Sequence, residues 1–146
     1  MGQQQLLLLV LGIVIVGLAV VVGIQAFSEN QKKANADALV NDAVRIASDL
    51  QAWMLKPAAF GGGDNSGVWS GASFAKIGYS TDDASNGDCA AGEYGNLNGC
   101  FSLQANSGNV IITATSDDSG NQVTVTVSGT TPSDITTSIN TNYGAS

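Results

Sequence analysis

The hydrophobic pattern divides the chain into three stretches. From Leu6 to Ile24 no side chain is polar or charged, and only Gly12, Gly17 and Gly23 interrupt the large aliphatics. At 1.5 Å per residue, a helix of this length just crosses a bilayer core of about 30 Å. From Gln25 onward the pattern turns amphipathic without a break. Ala36, Leu39, Ala43, Ile46, Leu50 and Trp53 recur at spacings of three and four, and Val40, Ala47 and Met54 widen the stripe. Charged residues from Glu29 to Asp49 are interleaved with them, as in a helix with one buried face. Nothing before Pro57 stops a helix, and Pro57 disfavours helix at Lys56. The pattern therefore predicts one helix from about residue 2 to 55, about 80 Å long.

The last third alternates with period two. Cys100 to Ala105, Asn109 to Ser116 and Asn121 to Ser128 read as strands, with Asp117-Asp118-Ser119-Gly120 as a hairpin turn. Val123, Val125 and Val127 share one face, and Thr124, Thr126 and Ser128 the other. Ser133 to Ile139 is a candidate final strand. Between helix and strands, Phe60 to Gly67 reads as a flexible connector. Val68 to Tyr79 reads as loop with room for one short strand, and Ser80 to Asp88 as loop. Cys89 to Cys100 encloses a Gly-rich loop. The expected class is α+β. A long N-terminal helix (1–56, apolar over 1–27 and amphipathic over 28–56) packs through Leu39, Ala43, Ile46, Leu50 and Trp53 on a small antiparallel β head (57–146).

Charge sharpens this division. Twelve acids face five bases, a net charge of −7. Residues 1–28 carry no charged side chain, residues 29–76 balance, and residues 77–146 hold acids without a base. Such a distal half repels phosphate backbones, so no direct nucleic-acid binding is expected. Cys89 and Cys100 are the only cysteines. In a Gly/Ser/Asn-rich chain they suggest one disulfide and an oxidising compartment, the alternative being a reduced pair. Lys32 and Lys33 follow the apolar run, and the positive-inside tendency alone places the head in the cytoplasm. The cysteines and the acidity point outward. A short basic leader, cleaved before Met1, reconciles the two.

The chain holds few candidates for chemistry. Without histidine there is no Ser-His-Asp or Cys-His arrangement, and no phosphate-cradling loop is present. We therefore expect no enzyme, no catalytic residue and no cofactor. Asp82, Asp83, Asn86 and Asp88 supply hard oxygen ligands within a short span and are a weak calcium candidate. Ala84 breaks the EF-hand spacing and no Glu closes the loop. There is no Asn-x-Ser/Thr sequon.

An apolar helix continuing as an amphipathic one, then a small β head with a cysteine pair, resembles a type IV pilin. The likeness covers the whole plan and is most specific over residues 1–55. It implies a structural subunit held in the inner membrane by its apolar helix, then assembled into an extracellular helical filament by the pilus machinery. The filament's core would be other copies of Leu6, Leu9, Gly12, Ile13, Val16, Gly17, Val20, Gly23 and Ile24. The resemblance also implies N-terminal processing and methylation. The family has Phe where Met1 stands and Glu where Gln5 stands. Gln5 accepts a hydrogen bond but cannot neutralise a neighbour's terminal amine. Gly2-Gln3 is similar to the cleavage junction of archaeal-type pilins. The glycines fit either ordinary membrane-helix usage or close packing of helices; their spacings of five and six are not GxxxG. The alternatives are a single-pass anchored surface-binding module and a minor pilin or secretion pseudopilin.

Overall fold

The structure, a computed structural model, describes residues 2–81 and 89–144. Helix α1 runs unbroken from Gly2 to Leu55. Its end is set by Pro57, which lacks an N–H and takes an extended ψ of 147°. The carbonyls stranded at the helix terminus are then satisfied from the glycine-rich segment that follows. Gly63 N–H donates to the Trp53 carbonyl at 3.0 Å, Asn65 N–H to Met54 at 2.6 Å and Asp64 N–H to Lys56 at 3.0 Å. The Trp53 indole N–H donates to the Gly61 carbonyl at 2.9 Å. Phe60 to Gly67 is thus not the flexible connector expected but a cap folded back over the helix. Gly62 is required there, because a Cβ would run into the Lys56 carbonyl oxygen.

Five antiparallel strands form one meander in chain order: β1 (Tyr94–Asn96), β2 (Gly99–Ala105), β3 (Val110–Ser116), β4 (Asn121–Val127) and β5 (Ile135–Asn140). The strands expected at 100–105, 109–116 and 121–128 are present, and the candidate at 133–139 forms as β5. The segment Val68 to Tyr79 holds no strand; its regular part is a 3-10 turn, Phe74–Ile77. The presumed cysteine loop contains β1 and a tight turn into β2, with Asn96 opposite Gly99.

In β3 and β4 every second side chain is buried. Val110, Ile112 and Ala114 lie opposite Val127, Val125 and Val123, so one face is continuous and aliphatic. Thr113, Thr115, Thr124 and Thr126 fall on the other face, as period two dictates. Helix α1 lies chiefly over β4 and β3. It buries Leu39, Ala43, Ile46, Leu50 and Trp53, with Ala36, Ala47 and Met54, against that face. Burial of each large aliphatic contributes about 1.5–3 kcal/mol. On the β1–β2 side, Tyr94 packs with Phe74, Tyr79 and Phe101, edge to face with Tyr79 at 4.8 Å.

Hydrogen bonds fix the head's direction on α1. At its lower end Asn121 donates to the Lys32 carbonyl at 2.8 Å, and Asn35 donates to the Asn98 carbonyl at 3.0 Å. At its upper end Gln51 donates to the Gly129 and Thr131 carbonyls at 2.9 and 2.8 Å. Asn35 and Gln51 are about 24 Å apart along the helix axis. Everything on α1 below Lys32 stands clear of the head.

Candidate functional site: the uncovered apolar helix

The first half of α1 is apolar all round, and the head covers none of it. Its most apolar window has a mean hydropathy of 3.2 and no residue buried within the molecule. Leu6, Leu9, Ile13, Val16 and Val20 are all more than half exposed, as are Ile24 and Phe27. Large aliphatics in this number do not stay in water. By length and composition the helix is able to cross a membrane.

Gly12, Gly17 and Gly23 lie on open helix surface, where an added Cβ would meet nothing within 4 Å. No contact inside the chain calls for them. Gly12 and Gly23 are three turns apart and share nearly one face, while Gly17 points elsewhere. Leu8, Leu9, Ile13 and Val16 surround a shallow notch at Gly12, with Gly17 at its rim. A second helix can approach closely there. Gln5 sits on the exposed first turns, and Met1 lies outside the described residues.

The remaining candidates resolve as follows. Cys89 and Cys100 form a disulfide with Cα atoms 5.5 Å apart, tying the chain ahead of β1 to β2. Glu93 lies beside the bridge and accepts the Ala90 N–H at 3.0 Å. Bridged sulfurs are not thiolates, so this group is a poor metal site. The calcium candidate, Asp82, Asp83, Asn86 and Asp88, lies outside the described residues. Asp42 and Asp49 serve the helix–head junction. One oxygen of Asp42 accepts from Asn96 and Asn98 at 2.9 and 2.7 Å. Asp49 accepts from the Tyr79 hydroxyl at 2.7 Å. Burial first, then this hydrogen bond to a carboxylate, pushes the Tyr79 pKa up to about 12.

Sequence reasoning missed this junction. The turn Asn96-Leu97-Asn98-Gly99 carried a hairpin signal in Asn98-Gly99. Its anchoring on Asp42, fifty-odd residues away, had no local signal.

No family model, no curated protein and no solved structure matches the chain.

Proposed function

We propose that this chain is the structural subunit of an extracellular helical filament of the type IV pilus kind. It would be held in the membrane by the apolar half of α1 before assembly and would polymerise through that half afterwards. The observation that carries the reading is the uncovered helix from Leu6 to Ile24, continuous with the stripe that holds the head. At about 25 cal/mol per Å2 of apolar surface, leaving it in water is unfavourable by tens of kcal/mol. Lipid satisfies it while the subunit waits, and copies of the same helix satisfy it in a polymer. The unbroken helical passage from apolar half to head supports the filament over the anchored module. A monomeric receptor gains nothing from a helix stiffly coupled to its head, whereas a filament transmits load along it. The single cross-linked head and the seven acids after residue 76 suit an exposed, oxidising surface.

The test is Val16→Asp in the full chain. A carboxylate at mid-helix costs about 2.5–3.5 kcal/mol in a bilayer and more where several helices meet without water. We expect no filaments in the sheared cell-surface fraction, while a chain starting near Gln31 stays soluble and folded. Normal filaments from Val16→Asp would refute the proposal. Wild-type chain found only in membranes would favour the single-pass anchored module.

A further inference from the structure

The β1–β2 turn contains a chemically labile pair, Asn98-Gly99, in which no side chain shields the glycine nitrogen. In such a pair the glycine nitrogen, once it loses its proton, attacks the asparagine Cγ. The N–Cγ bond forms, the Cγ–Nδ2 bond breaks, and Nδ2 leaves as ammonia carrying that proton. Water then opens the cyclic imide at either of its two C–N bonds. The product is aspartate or isoaspartate, with a new negative charge where an amide donor stood.

Water reaches this turn, since Leu97 beside Asn98 is 92% exposed. Asn98 is nevertheless tied at three points. Its carbonyl accepts from Asn35 at 3.0 Å, its N–H donates to the Asn96 side chain at 2.8 Å, and its Nδ2 donates to Asp42 at 2.7 Å. Gly99 N–H donates to the same Asn96 oxygen at 3.2 Å. Cyclisation needs the Asn98 carboxamide carbon to swing onto the Gly99 nitrogen, and that nitrogen to release its proton. The bond to Asp42 turns the carboxamide toward α1 instead. The bond to Asn96 engages the Gly99 proton, and Asn35 holds the peptide plane between them. The Asp42 carboxylate also opposes the negative charge that gathers on the attacked amide.

The fold has a use for both members of the pair. A Cβ on Gly99 would run into the Thr115 carbonyl oxygen, so the pairing of β2 with β3 calls for glycine there. The docking of the turn on α1 uses the Asn98 amide as a donor. We propose that Asn98 is a deamidation site gated by that docking. It stays an amide while Asp42 holds it, and it converts when the turn lifts off α1 in a local opening of the head. The conversion is one-way. Aspartate at 98 has no amide donor and sets a second carboxylate against Asp42. Isoaspartate in addition lengthens the backbone inside the turn that sets Asn96 opposite Gly99. Either product keeps the turn from seating again and marks a head that has opened. The inference does not depend on what surrounds the apolar helix.

The test follows the amide-to-acid mass gain at position 98 in the full chain, held in detergent micelles and mildly alkaline buffer. Fragmentation separates Asn98 from Asn86, whose own Asn86-Gly87 pair lies outside the described residues. We expect conversion at 98 to be at least several-fold slower in the folded chain than in the same chain in guanidinium chloride. Asp42→Ala should remove most of that difference under folding conditions. Leu50→Ala weakens the head without touching the turn and should leave Asn98 protected. Equal rates in the folded and denatured wild-type chain overturn the proposal. So does Leu50→Ala matching Asp42→Ala, because the protection would then belong to the fold in general. If Asp42→Ala does not fold, an exchange of the two side chains decides. Asn98→Asp alone should lower the denaturation midpoint. Adding Asp42→Asn, which reverses donor and acceptor, should restore it; failure to restore overturns the pairing on which the gate rests.

Discussion

Asp42 shows how much a single side chain does in this head. It is part-buried on α1, and one of its oxygens takes both amide donors of the β1–β2 turn. Asp42→Ala removes both of those hydrogen bonds and should destabilise the head by about 1–3 kcal/mol, measured by chemical denaturation. Asp42→Asn keeps an acceptor and should cost less. Tyr79 makes a different prediction. Its pKa in the folded chain is about 12 against an ordinary 10.0. The native state therefore keeps a proton that the unfolded chain has already released, and stability falls as pH rises from 10 to about 12. Tyr79→Phe should flatten that slope in a denaturation series across this window. In the core, Leu50 is fully buried between α1 and the sheet. Leu50→Ala should cost about 2–5 kcal/mol by the same measurement.

At the scale of elements, periodicity carried most of the fold. The stripe from Leu39 to Trp53 and the alternation of Val123, Val125 and Val127 each name a buried face, and the two faces meet in the structure. Segments without a period were read less well. The glycines at 61–63 look like slack in a sequence, yet they let the chain pass close to the Lys56 carbonyl and cap the helix. β1 is three residues long, too short for alternation to register, and it exists because β2 offers an edge and Asp42 an anchor. The disulfide joins the segment before β1 to β2. Replacing Cys89 and Cys100 together by Ser opens a short loop and should cost somewhat under about 3 kcal/mol, with the sheet retained. Circular dichroism with a denaturant titration reads both quantities.

For the whole molecule, the sequence made the membrane-length helix plain and left its surroundings open. Leu6 to Ile24 has the same composition whether lipid or protein covers it, so hydropathy cannot separate an anchor from a filament core. The fold adds the geometry that either surrounding must fit. A stiff helix of about 80 Å bears a head on its upper half and nothing on its lower half. Such a body buries its lower half only by lying in a bilayer or by bundling with others. The most direct measurement is electron microscopy of sheared cell-surface material, with mass spectrometry of its main component. The account predicts thin helical filaments built mainly of this chain, with the heads outward and the Leu6–Ile24 helices bundled at the axis. Recovery of the chain wholly in the membrane fraction, with no filament containing it, would contradict the account.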